Sequence, residues 1–150
     1  MTDTAQFCTF FVADRFFGVD VTRVQEVIRY QEMTRVPLAS PVIRGLINLR
    51  GQIVTALDMR ARLGLASLSA GRLPMNVVVR TDDGAVSLLV DEIGDVVEVA
   101  DDCREDPPET MSAEARELIS GIYKLKGQLL LVLDPERAIA EAAVRRGTEN

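Results

Sequence analysis

VIRGLINLRGQIVTALDMRARLGL, residues 42–65, decides the fold. Residues 45–49 and 52–57 are apolar runs too short for helices, and only Arg50 and Gly51 lie between them. A two-residue connection that contains Gly is a hairpin signal, because Gly accepts the positive φ the turn needs. Asp58 then caps a short helix over residues 59–63, and Gly64 ends it.

The same pattern returns in LISGIYKLKGQLLLVLDPER, residues 118–137. Gly45 matches Gly121, Leu49 matches Leu125, and Arg50-Gly51-Gln52 matches Lys126-Gly127-Gln128. Asp58 matches Asp134 at the same offset, with no gap. Upstream, FGVDVTRVQEVI (17–28) lies over VSLLVDEIGDVV (86–97), which pairs Val24 with Ile93, Glu26 with Asp95 and Val27 with Val96. Two matches in the same order point to two related halves, each built mainly of short antiparallel strands.

At 150 residues the chain fits one domain or two small subdomains that share a core. Its 47% apolar and 27% charged residues are those of a soluble globular protein. No apolar run approaches the roughly 20 residues of a membrane span, so direct membrane insertion is not expected. The N-terminal MTDTAQF lacks the basic and apolar regions of a signal peptide, so a cytoplasmic location is expected, with Cys8 and Cys103 as free thiols. A net charge of −6 argues against nucleic acid as the main partner. The chain has no His, which removes the usual general base, the Ser-His and Cys-His nucleophile pairs and the commonest metal ligand.

Strands are expected over residues 7–12, 16–21, 75–80, 85–90 and 91–99, with Asp83-Gly84 as a second tight turn. Residues 20–24 fit one helical turn, and residues 26–36 read as extended up to Pro37. LASLSAGR (65–72) is a small-residue linker, and ADDCREDPPE (100–109) is an acidic loop. Residues 112–118 fit a short helical turn. Asp134 caps a C-terminal helix that starts at Pro135 and runs to Arg146.

The acidic pairs Asp82-Asp83 and Asp101-Asp102 show no ligand spacing, and turn chemistry accounts for them. Cys8 falls in an apolar strand pattern and has no His to activate it. No phosphate-cradling glycine loop precedes a helix. No catalytic residue, metal site or cofactor is therefore expected. What remains is surface recognition: Val24, Gln25, Glu26 and Val27 combine apolar and acidic groups where the halves meet, and Arg50 stands at a hairpin tip. The alternative for Glu26 and Arg50 is an ordinary surface ion pair, which contributes little.

At these residues the chain resembles the CheW family, the coupling proteins of bacterial chemotaxis. The likeness runs from about Phe7 to Ala140 and rests on FFGVDVTRVQEVIR, RVPLASPVIRGLINLRGQIVTALDMRARLGL and VSLLVDEIGDVVEV, with Asn48-Leu49-Arg50-Gly51 the most specific part. Thr55 and Met59 stand where the family often has Pro and Leu, which are conservative departures.

The resemblance implies an all-β fold of two small five-stranded antiparallel SH3-like barrels sharing a core, with short helices and a C-terminal helix. It implies one CheW-like domain over residues 7–146, with two intertwined subdomains split near residues 65–75 and flexible termini at 1–6 and 147–150. It also implies a non-catalytic adaptor, a free monomer recruited to membrane-associated chemoreceptor arrays. There it would join the cytoplasmic tip of methyl-accepting chemoreceptors to the regulatory domain of a CheA-type histidine kinase. By motif, the receptor site falls on Val24, Glu26, Val27, Arg50 and Gly51, with Val77 and Ser87 on strands of the second half. The competing reading, from a different class, is a small acid/base enzyme working in the groove between the barrels. It requires carboxylates with raised pKa values facing a pocket.

Overall fold

The computed structural model describes residues 3–69 and 71–139. Ten strands fill most of it: β1 Thr4–Val12, β2 Arg15–Asp20, β3 Val24–Ile28, β4 Ile43–Leu49, β5 Gln52–Asp58, β6 Met75–Thr81, β7 Gly84–Val90, β8 Glu92–Ala100, β9 Ile119–Leu125 and β10 Gln128–Leu133. Two short helices, α1 Met59–Arg62 and α2 Ala113–Leu118, and two single 3-10 turns, Val21–Arg23 and Asp101–Cys103, lie between them, and residues 135–139 after β10 are helical. Asp58 caps α1 by accepting the Ala61 N–H at 3.2 Å, and Ser112 caps α2 by accepting the Ala115 N–H at 3.3 Å.

The strands form two five-stranded sheets, ordered β8-β1-β2-β10-β9 and β3-β6-β7-β5-β4. The all-β, twin five-stranded expectation holds. Three details differ. Each sheet contains one parallel pair, β2 with β10 and β5 with β7, so neither is wholly antiparallel. The second sheet takes all its strands from residues 24–90 and the first takes the two ends, so the sheets divide near residues 21–23 and at Asp91. Residues 65–75 instead mark where the sequence repeat turns over. Thr4, Ala5 and Gln6 pair with Ala100, Val99 and Glu98 and belong to β1, so they are not a loose terminus. Of the C-terminal helix, residues 135–139 are helical; residues 140–146 and the tail at 147–150 lie outside the described residues.

The repeat is visible in the registers. Ile43 pairs with Leu57 and Leu49 with Gln52 in β4–β5, while Ile119 pairs with Leu133 and Leu125 with Gln128 in β9–β10, and both hairpins carry a register shift at the same place. The repeated glycine has a physical cause. Neither sheet closes through a continuous ladder between its edge strands. Instead the chain leaving each edge makes one antiparallel bridge to the opposite edge, Thr34 with Leu46 and Glu105 with Ile122. At Gly45 a Cβ would lie 2.7 Å from the carbonyl oxygen of Thr34, so only glycine admits the crossing chain. At Gly121 the nearest obstacle is the Arg104 side chain, which can swing away. Gly45→Ala is therefore expected to cost about 1–3 kcal/mol by urea unfolding, and Gly121→Ala distinctly less. Equal losses would show that closure is not what the glycines serve.

Burial on both faces explains why stretches such as LLVL, residues 130–133, read as unbroken apolar runs rather than alternating ones. Alternate residues serve different cores. Leu131 and Leu133 join Phe10, Phe17, Leu57, Val77 and Leu88 in a cluster shared by both sheets, while Leu130 and Val132 join Phe7, Phe16 and Tyr123 in a second. Ile47, Val54, Val78 and Leu89 form the third, drawn from the second sheet alone.

The sheets are also joined at Asp91, between β7 and β8. Its side chain is 6% exposed and takes two hydrogen bonds from Arg60 on α1, at 2.9 and 2.7 Å. It also accepts the Ala13 N–H of the β1–β2 turn at 2.6 Å. Burial pushes the Asp91 carboxyl up, but the Arg60 guanidinium and the Ala13 amide outweigh it and hold the carboxyl below the usual aspartate range.

Candidate functional site

The surface is built on the β4–β5 turn. Arg50 and Gly51 both have positive φ, 52° and 88°, as a mirror-image two-residue turn demands. Asn48 fixes the turn by accepting the Gly51 N–H at 2.9 Å. The Arg50 side chain, 74% exposed, extends from this tip and donates to the Glu26 carboxylate on β3, which is 18% exposed. Gln25 donates to Gln52 at 3.4 Å alongside. These two contacts tie the tip of the β4–β5 hairpin to β3, at the far edge of the same sheet. The Arg50 hydrogen bond, helped by the Arg50 charge and opposed by burial, holds the Glu26 carboxyl below the usual glutamate range.

A bulge sets which β3 side chains face the core between the sheets. The β3–β6 register runs Val24 with Val79, then shifts, then Glu26 with Val78 and Val27 with Val77. Directly opposed residues share a face. Val79 and Val77 lie in the core between the sheets, so the shift puts Val24 and Val27 together at the rim of that core. Simple alternation would have separated them. Val24 packs partly against this core and Val27 is exposed.

Five of the seven residues expected from sequence therefore lie on β3 and the hairpin tip that reaches it, on two faces: Glu26, opposite Val78, meets Arg50 beside Gly51, while Val24 and Val27, opposite Val79 and Val77, turn to the other face. Val77 and Ser87 do not join them, and this is a correction. Val77 is 1% exposed and Ser87 is 0% exposed, so neither offers a surface to a partner. Their place is behind it. Val77 backs Val27 across the ladder. The Ser87 hydroxyl donates to Asn76 at 2.7 Å, and the Asn76 amide donates to the carbonyl of Arg29 at 3.0 Å, just past the end of β3.

Sequence reasoning missed Ile53, an exposed apolar residue beside Gln52 at the same hairpin. Its place in an apolar strand reads as core. It shares a face with Leu57, but so near the turn that the other sheet no longer covers it. The structure repeats the feature, since the Ile53 counterpart Leu129 is exposed too, as are Val27 and its counterpart Val96.

Cys8 is partly buried, and burial together with the nearby Asp20 raises its thiol pKa, which opposes nucleophilic use. Among the described residues no group of three or more His, Cys, Asp or Glu side chains could hold a metal, and no helix is long and apolar enough to cross a membrane.

The chain matches the CheW-like domain family over residues 6–143. It belongs to that family. The CheW-like chain is 32% identical over 125 residues to the chemotaxis protein CheW of Bacillus subtilis (strain 168), covering 83% of this chain and 80% of that one. It is 24% identical over 145 residues to chemotaxis protein CheW of Treponema pallidum (strain Nichols), covering 94% and 85%. Its fold is similar, with a TM-score of 0.78, to the crystal structure of scaffolding protein TtCheW from Thermoanaerobacter tengcongensis, over 89% of this chain and 90% of that one at 24% identity.

Proposed function

We propose that this CheW-like chain is a chemotaxis adaptor that couples the cytoplasmic tip of a methyl-accepting chemoreceptor to the regulatory domain of a CheA-type histidine kinase. The chain is a scaffold, not an enzyme, as its family membership implies. The observation that carries the finer reading is the exposed edge strand itself: Val24 and Val27 at the rim of the inter-sheet core on one face of β3, with the Glu26–Arg50 pair on its other face. A receptor tip that presents a helical hairpin would lay an apolar stripe on the valines and polar groups against the rim. The kinase domain would use another part of the molecule, so that both partners bind at once. The free chain would be a monomer, recruited from the cytoplasm to receptor arrays.

The acid/base alternative gains no support. Such catalysis needs a carboxyl raised toward neutrality, whereas Glu26 and Asp91 are both held low by arginine. Analytical ultracentrifugation of the chain with a receptor-tip fragment and the kinase regulatory domain tests the proposal. A ternary complex supports it; mutually exclusive binding, or none, overturns it.

A further inference from the structure

Arg23 lies in the 3-10 turn that leads into β3, and its side chain reaches two other parts of the fold. Its Nη2 donates to Glu136 Oε1 at 2.8 Å and its Nε donates to the carbonyl of Arg80 at 3.0 Å. The same Glu136 oxygen accepts the backbone N–H of Asp82, in the β6–β7 turn, at 2.8 Å. Glu136 belongs to the helical segment after β10, where its own N–H donates to the capping Asp134 at 3.0 Å. Arg80 closes the circuit by donating to the carbonyls of Thr22 and Val24 at 3.4 and 3.3 Å.

These bonds converge where β3 is weakest. β3 is an edge strand whose ladder partner is β6, and that ladder is interrupted between Val24 and Glu26. Side chains around its start therefore do what ladder bonds do elsewhere. Glu136 is the group that brings the other sheet into the arrangement, since the segment carrying it follows β10 of the first sheet while Arg23 and Asp82 flank strands of the second.

We propose that Glu136 is a positioning residue for the partner surface: by holding Arg23 and the Asp82 amide together it fixes the start of β3, and so sets Val24 and Glu26 for binding. The binding half of this inference rests on the receptor reading above; the ordering of β3 does not.

Three full-length variants test it. Glu136→Ala removes both contacts, Glu136→Lys repels Arg23, and Glu136→Gln keeps an oxygen for both donors. Amide hydrogen exchange and titration with a receptor-tip hairpin are measured on each. Glu136→Ala and Glu136→Lys should speed exchange at residues 24–28 and weaken the hairpin about 2–30-fold, with exchange in β9–β10 unchanged and Glu136→Gln near wild type. Unchanged exchange at residues 24–28 in Glu136→Lys overturns the proposal. So does faster exchange spread equally over β9–β10, which marks general destabilisation. If the wild-type chain itself fails to bind the hairpin, the receptor reading falls, and exchange at residues 24–28 alone decides the role of Glu136.

Discussion

Asp91→Ala is expected to destabilise the chain by about 3–5 kcal/mol, because it removes one partner of a buried ion pair and strands the other. The loss is large for two reasons. Arg60 would keep a charge in a site where its own side chain is only 18% exposed, and the Ala13 N–H would lose its acceptor in a turn where Ala13 holds a positive φ of 57°. The effect also spans the molecule, since Asp91 ties α1 to the β1–β2 turn across the two sheets. Asp91→Asn should lose less, because its side-chain oxygen can still accept from Ala13.

The pH dependence follows from the direction of the shift. The folded carboxyl titrates below its unfolded value of about 3.9, so the stabilisation is present above that value and is lost as the pH falls through the lower folded value. Wild type should therefore lose stability into acid more steeply than Asp91→Asn. Urea unfolding at neutral pH and through the acid range measures both. A loss under about 1 kcal/mol for Asp91→Ala, the level of an exposed ion pair, would contradict this account of how the sheets are joined.

Arg50→Glu should have the second large effect, on binding rather than stability. It sets two carboxylates against each other at the rim of the proposed receptor surface and removes the planar donor fork. Receptor-tip affinity is expected to fall by about ten- to a hundredfold, in the range of a central interface residue. The melting temperature should move little, because Arg50 is mostly exposed and its turn is held by the Asn48–Gly51 hydrogen bond and the ladder, not by its side chain. Kinase-domain affinity should stay near wild type. Glu26 is ionised above the usual glutamate range of about 4.3, and its contact with Arg50 is lost only as the pH falls through its lower folded value. The pair itself should therefore bring no pH dependence to binding near neutrality. Unchanged receptor affinity in Arg50→Glu would remove the β4–β5 turn from the site. A fall in stability matching the fall in binding would make the pair structural.

The contrast between these two sites shows what the sequence could carry. Arg50-Gly51 is legible because a tight turn writes its requirement into adjacent residues, and the repeat at Lys126-Gly127 doubles the signal. Strand locations were legible for the same local reason, and so was the cap at Asp58. Asp91 and Arg60 were not: they stand 31 residues apart, and nothing local marks a charge as buried. The exchange of strands between halves was also hidden, because both β3 pairing with β6 and β8 pairing with β1 satisfy the same apolar patterns that a simple split near residue 70 would satisfy. Val77 and Ser87 show the limit of carrying a site over by position. Period-two alternation cannot say that both faces of their strands are covered, as they are at Val77 and Ser87. At β3 a bulge reset the alternation and brought Val24 and Val27 to one face.

The adaptor reading meets its most direct test in a reconstituted signalling assay. Membranes carrying a chemoreceptor are mixed with its CheA-type kinase, with and without this chain, and kinase autophosphorylation is followed as receptor ligand is added. The account predicts that the chain raises autophosphorylation, that receptor ligand then controls it, that Arg50→Glu abolishes the gain, and that no phosphate appears on the chain itself. Kinase activity and ligand control that are the same with and without the chain, at concentrations where it is bound, would contradict it.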